Sequence, residues 1–166
     1  MKRLEIIRKK IFDGNDVEFS RMLAIWRFQG KKIVFTNGCF DILHLGHIDY
    51  LAAASELGDL LIIGLNTDQS VNKIKGNNRP FQDEISRAFV LASLGFVDYV
   101  VYFGEDTPYN LIKTIQPDVL VKGADYKPED IVGYDIVKNK GGEIIIIEFL
   151  EGYSTSAIEK KILGKL

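Results

Sequence analysis

The sequence predicts an α/β fold: a doubly wound parallel sheet of about five strands behind a short helical N-terminal extension. Three observations carry that expectation. From Lys32 onward, short apolar runs alternate with helical patterns, the order expected of parallel strands joined by right-handed crossovers. Several of the runs are apolar on consecutive residues, as in strands buried on both faces. Start and stop residues of the right chemistry punctuate the alternation.

In chain order, two helical patterns come first. Leu4, Ile7 and Ile11 share one face, Phe19, Met22, Leu23 and Trp26 share another, and Gly30 marks the stop. The basic residues around the first pattern read as a solvated face packed on the domain rather than a membrane surface. Residues 1–30 are therefore expected to form the extension and residues 31–166 the main domain. Strands are expected at Ile33–Phe35, Leu60–Leu65, Tyr99–Tyr102, Val119–Val121 and Ile144–Ile147. Helices are expected at Gly46–Leu57, Asp83–Leu94, Pro108–Ile115 and near Tyr134–Lys140, with a last one opening at Ser154-Thr155-Ser156 and including Ile158 and Ile162. Asp83, and Thr107 before Pro108, are start signals; Gly58, Gly95 and Gly141 are stops.

Composition bounds the function. A chain of 166 residues suits one domain with a sizeable core. A formal charge of -2 leaves no basic footprint and argues against a dedicated nucleic-acid binder. The lone Cys39 cannot form an internal disulfide, which fits a reducing cytoplasm. No signal-peptide pattern, membrane-spanning apolar run or internal repeat is read in the sequence. A cytoplasmic protein is the expectation.

The most informative stretch is Thr36-Asn37-Gly38-Cys39-Phe40-Asp41-Ile42-Leu43-His44-Leu45-Gly46-His47. It leaves the first main strand and enters a helix, beyond a strand's carboxyl end, where ligands of such sheets bind. His44 and His47 are the chain's only histidines. Three apart at a helix start, they share a face, and the helix terminus offers free N–H groups and the positive end of a dipole. Gly46 between them allows close approach to the backbone. This is the chemistry of a nucleotide-phosphate site. Further donors come from Lys73-Ile74-Lys75-Gly76-Asn77-Asn78-Arg79-Pro80, read as a polar loop, from Arg87, and from the Gly152–Ser156 helix start.

Each feature has a structural alternative. The histidines are equally readable as a cap or a satisfied core pair. Ser156 and Glu159 have capping-box spacing. The Lys73–Arg79 stretch reads also as a solvated loop, and Arg87 as a surface partner of Asp83 or Glu84. Cys39 reads as a small buried residue rather than a nucleophile, and Asp41 as a turn cap or a metal contact. Order and placement of the set favour function. Neither a G-x-G-x-x-G fingerprint nor a Walker A loop is present.

The Thr36–His47 run resembles the H-x-G-H motif of the cytidylyltransferase-like nucleotidyltransferases. The likeness extends to one branch, the adenylyltransferase domain of the bifunctional ADP-heptose synthases. It rests on Lys75-Gly76 with Arg79-Pro80, Arg87, Glu105-Asp106-Thr107-Pro108, Val119–Glu129, Gly141-Gly142-Glu143 and Gly152–Ser156. The Lys122–Glu129 stretch favours the heptose branch over the glycerol 3-phosphate cytidylyltransferases. So does the absence of an arginine in Ile147-Glu148-Phe149-Leu150. Ser154-Thr155-Ser156 stands where the family usually has Ser-Thr-Thr.

The resemblance implies a Rossmann-like sheet and transfer of AMP from ATP, with Mg²⁺, to D-glycero-β-D-manno-heptose 1-phosphate. It implies that His44 and His47 stabilise the reacting phosphorus and that Lys75 and Arg87 offset charge. Asn37, Gly38, Cys39, Phe40, Asp41, Gly46, Lys122, Gly123, Asp125, Tyr126 and Ser154–Ser156 would hold the nucleotide; Arg79 and Asn66 would face the acceptor. Mg²⁺ would be held mainly by phosphates, with Asp41 a further contact. A separate sugar kinase would supply the substrate, and a homodimer is expected. Two alternatives stand beside this reading: a cytidylyltransferase for glycerol 3-phosphate or a similar polyol phosphate, and an inactive nucleotide-binding module.

Overall fold

Consecutive apolar residues demand burial on both faces, and the central strand meets that demand: Ile33, Val34, Phe35 and Thr36 have no exposed surface. The computed structural model describes residues 2–124 and 130–164. Along them run α1 (Lys2–Arg8), β1 (Ile11–Asp13), α2 (Val17–Phe28), β2 (Ile33–Gly38), α3 (Leu45–Ser55), β3 (Leu60–Asn66) and α4 (Asp68–Lys75). Then follow α5 (Glu84–Ala92), β4 (Tyr99–Phe103), α6 (Tyr109–Ile115), β5 (Val119–Gly123), α7 (Tyr134–Asn139), β6 (Glu143–Ile147) and α8 (Thr155–Ile162). Among the described residues the strands form one six-stranded parallel sheet, ordered β1-β4-β3-β2-β5-β6.

Alternate side chains of each strand feed opposite faces. Ile33 and Phe35 join Phe19, Leu23, Trp26 and Ile112 on one side. Val34, Leu61 and Ile63 join Leu51, Ala54, Ala88 and Leu91 on the other. Helices thus cover both faces, and the expected doubly wound architecture is what the chain adopts. β3 and β4 lie to one side of β2, β5 and β6 to the other. That reversal opens the crevice between the β2 and β5 carboxyl ends.

Four local expectations are corrected. Ile11 does not continue the helical face of Leu4 and Ile7: the helix ends at Arg8, and Ile11, Phe12 and Asp13 pair with Val100, Val101 and Tyr102 of β4. The N-terminal segment therefore adds a sixth strand, too short for a period-2 signal. Lys73, Ile74 and Lys75 are the last turn of α4 rather than loop, capped at its start by Thr67, whose hydroxyl accepts from Ser70 N. The cap of α8 is Ser154, accepting from Ala157 N at 3.1 Å, and not a Ser156–Glu159 box. Helix α6 begins at Tyr109 with no side-chain cap from Thr107.

Candidate active site

The site begins where β2 stops. His44, in extended backbone, is the N-cap of α3, and its carbonyl accepts from His47 N at 2.9 Å and Ile48 N at 3.2 Å. Its ring plays no part in capping and instead stacks on His47, centroids 3.9 Å apart and planes 24° from parallel. Both Nδ1 atoms are buried with no hydrogen-bond partner among the described residues. Burial lowers both pKa values. His47 falls to about 4, with His44 and Lys75 pushing the same way against the Ile42 backbone. The pair is therefore neutral at neutral pH, each ring with one N–H to donate.

Gly46 makes the geometry possible. A Cβ there would lie 3.2 Å from both His44 Nδ1 and Tyr153 Cβ, tighter than ordinary contact. Phe40, at φ 45°, turns its edge onto His47, centroids 5.4 Å apart.

The histidine segment opens on a cavity of about 500 Å³ at the carboxyl ends of the strands. Asn37, Gly38, Cys39, Phe40, Asp41 and His47 form its floor. Asn66 and Lys75 line the β3 side; Lys122, Gly123 and Thr155 line the β5 side. Lys122 donates to Asn37 Oδ1, and burial lowers its pKa to about 8, so it is a desolvated ammonium at neutral pH. Lys75 is exposed at the end of α4. Burial raises the Cys39 thiol pKa against the nearby Lys75 and Arg87 charges, which leaves it a poor nucleophile. Asn66 is buried and donates to Ser70 Oγ at 2.9 Å.

Two arginines expected at substrate lie behind the wall. Arg87 is 1% exposed; it donates from Nε to Gln82 O (3.0 Å), from Nη1 to Cys39 O (2.6 Å) and from Nη2 to Asp68 Oδ1 (2.7 Å). Arg79 pairs with Asp41 at 3.0 Å and with Glu159 of α8. Asp41 accepts also from Phe81 N at 2.8 Å and Gln82 N at 3.1 Å. One network thus fastens the histidine segment, the α4–α5 connection and α8 together. Ser154 spends its hydroxyl as a cap, Ser156 is exposed, and Asp125 and Tyr126 lie outside the described residues.

The cavity also holds residues that the sequence reading did not assign to the site, Tyr50, Ile131 and Phe149 among them, with Asp106 and Thr107 from the family-matching stretch. Tyr50 shares a 2.7 Å hydrogen bond with the buried Thr36 hydroxyl. Its place on the α3 face below His47 was the available signal. For Phe149 the signal was an aromatic just past the last strand, followed by Gly152.

This arrangement can bind a polyphosphate and stabilise charge developing on phosphoryl oxygens. The electrostatics are preorganised: the neutral His47 imidazole with His44 stacked on it, a helix start and two lysines meet at one space.

Among curated proteins, the bifunctional protein HldE of Campylobacter concisus is 63% identical over 132 residues, 80% of this chain and 27% of that protein. The HldE of Wolinella succinogenes is 59% identical over 139 residues, 84% of this chain and 28% of that protein. The chain thus spans between a quarter and a third of the length of these relatives. Among solved structures, the lipopolysaccharide core biosynthesis protein of Thermoplasma volcanium superposes with a TM-score of 0.59 at 29% identity, covering 75% of this chain and all of that one. Pantoate-β-alanine ligase of Francisella tularensis shares the fold at a TM-score of 0.57 and 19% identity, over 92% of this chain and 76% of that one. The cytidylyltransferase-like family model matches residues 35–161, from the middle of β2 into α8. With the histidine pair, its helix and the cavity all inside that match, the chain belongs to the cytidylyltransferase-like family.

Proposed function

We propose that this protein is an adenylyltransferase that joins AMP from MgATP to D-glycero-β-D-manno-heptose 1-phosphate, giving ADP-heptose and pyrophosphate. The observation that carries the reading is the stacked, neutral His44–His47 pair with both Nδ1 atoms buried and unpartnered at the mouth of α3. The choice of heptose rests on the identity to the HldE proteins and on the motif resemblance in Lys122–Glu129.

The reaction needs no covalent enzyme intermediate. A phosphate oxygen of the acceptor attacks the α-phosphorus and forms the new P–O bond. The bond to the α,β-bridging oxygen breaks, and pyrophosphate leaves with its electron pair. Positioning and charge stabilisation supply the catalysis. His44 and His47 donate to phosphate oxygens as the pentacoordinate phosphorus forms. Lys75 and Lys122 neutralise charge from the two sides. Arg87 and Arg79, expected to offset phosphate charge and to face the acceptor, act in this reading by holding the Cys39 and Asp41 ends of the histidine segment, and Asn66 faces the acceptor. Mg²⁺ arrives with the triphosphate, since the Asp41 carboxylate is already committed to Arg79 and two backbone N–H groups.

Residues 31–166 form the catalytic domain in this reading and residues 1–30 buttress it. In this reading the protein is cytoplasmic and works as a homodimer, with a sugar kinase activity supplying its heptose 1-phosphate. No helix of the described residues is long and apolar enough to cross a membrane. Sedimentation showing only monomer at micromolar concentration removes the dimer.

The test is pyrophosphate release with Mg²⁺ from two pairings, ATP with heptose 1-phosphate and CTP with glycerol 3-phosphate. Release in the first alone is the expected result. Release in the second alone moves the protein to the cytidylyltransferases.

A further inference from the structure

The cavity extends to both sides of the histidine segment at β2. On the β3–β4 side Asn66, Lys75, Asp106 and Thr107 stand beside Ile74 and Phe103. On the β5–β6 side Lys122 and Gly123 stand beside Ile131, Val132 and Phe149, whose ring is the largest apolar group there. That side chain is 50% exposed, although it sits on the connection between β6 and α8 and lines the cavity.

The placement of its ring is specific. A Cβ on Gly123 would fall 2.0 Å from Phe149 Cζ, 2.5 Å from Cε2 and 2.7 Å from Cε1. The ring therefore rests directly on the glycine backbone, and only glycine leaves room for it. Its second support is Tyr50, centroids 6.0 Å apart at 39°. Tyr50 is itself anchored through its hydroxyl to Thr36 at 2.7 Å. A half-exposed aromatic supported from behind and open toward a cavity is a platform for another π-system. Phe149 and the histidine segment line the same cavity, so a nucleotide with its phosphates at His47 has this ring available to its base.

We infer that Phe149 is the base-stacking residue of the site and that it sets preference for a purine nucleotide. This inference rests on the nucleotidyltransferase reading and extends it to a residue that the H-x-G-H chemistry does not use. A purine covers more of the ring than a pyrimidine, so the contribution is larger for ATP than for CTP. The lysines and histidines bind the phosphates of both equally, so discrimination falls to the platform.

The test is calorimetric titration of wild type, Phe149→Ala and Phe149→Trp with ATP, CTP and inorganic tripolyphosphate, which has the phosphates and no base. Phe149→Ala weakens ATP about 10- to 100-fold and CTP less, at unchanged tripolyphosphate affinity, and Phe149→Trp restores ATP binding. A parallel loss of ATP and tripolyphosphate makes the ring merely structural and overturns the inference. So does an Ala variant that binds ATP as wild type does. Wild-type protein that binds neither ATP nor tripolyphosphate overturns the nucleotide reading itself, a result distinct from failure of the ring alone.

Discussion

Replacing Lys122 with Met separates what the site does from what it costs. The Lys122 ammonium titrates at about 8 instead of 10.5 because burial strips its hydration. A depression of that size corresponds to about 3 kcal/mol of destabilisation when the group is charged in both states. Methionine fills similar space without charge, but leaves Asn37 Oδ1 without this donor, a loss of about 1 kcal/mol. The variant should gain about 2 kcal/mol at pH 7, a rise in Tm of about 4–8 °C for a chain of this size. The sign of the pH dependence follows from the depressed pKa. Below about pH 8 both folded and unfolded wild type are protonated, and the full penalty is present. Between about pH 8 and 10.5 the folded state gives up its proton while the unfolded state keeps it, so wild type recovers stability. Urea denaturation of both proteins at pH 7, 9 and 10.5 reads this as an advantage for Met that shrinks with pH. ATP affinity should fall at least ~10-fold in the same variant, as a phosphate-facing cation is lost. A Met variant less stable than wild type at pH 7, or a difference independent of pH, refutes the reasoning.

His44→Ala and His47→Ala should each lower kcat by ~10²–10³-fold or more with the far-UV circular dichroism unchanged; near-normal kcat in a folded variant makes the pair structural. Because both histidines are depressed, and His47 to about 4, folded-state stability should decline as pH falls from 6.5 toward 4, when the unfolded chain takes up protons that the folded site refuses. Thermal unfolding across that range should show a smaller decline in a His47→Gln variant than in wild type. Arg79→Ala should cost ~3 kcal/mol, since Asp41 has no exposed side-chain surface and loses its counter-charge. Chemical denaturation should show Asp41→Asn recovering part of that loss in the double variant. Gly46→Ala should lower kcat about 10-fold at nearly unchanged stability, because the added methyl presses on the His44 ring at 3.2 Å; a steady-state assay with unaltered kcat removes the packing argument.

The parts of the fold legible in the sequence are those with long periodic or continuous signals. β2 through β6 were marked by apolar runs, α3 by its Gly58 stop, and α5 by Asp83 and Gly95 at its two ends. β1 was not legible because three residues carry no period, and its place is decided by pairing with β4, far along the chain. Helix α4 was hidden because only Ser70 and Val71 of its residues are buried, so its polar exterior reads as loop. The histidine segment could be located from residue type alone, since two histidines flanking a glycine at a strand–helix junction carry local chemistry. Arg87 and Arg79 could not be placed in this way. Whether an arginine faces a ligand or a carbonyl depends on tertiary neighbours, here Cys39 O, Gln82 O and Asp68 for one and Asp41 with Glu159 for the other.

That division of labour explains why a small domain can keep so much positive charge near one cavity. The two arginines are neutralised by carboxylates and carbonyls before any ligand arrives, so they add rigidity without adding repulsion. The histidines avoid repulsion by staying neutral, both pKa values lowered by burial and that of His47 also by His44 and Lys75. Only Lys75, exposed, and Lys122, desolvated, remain as cations lining the cavity among the described residues. A bound polyphosphate reverses these terms together. It stabilises the Lys122 charge and makes protonation of either imidazole easier. The free site is therefore destabilised in proportion to what the ligand repairs, so nucleotide should raise the melting temperature of wild type more than that of the Lys122→Met protein.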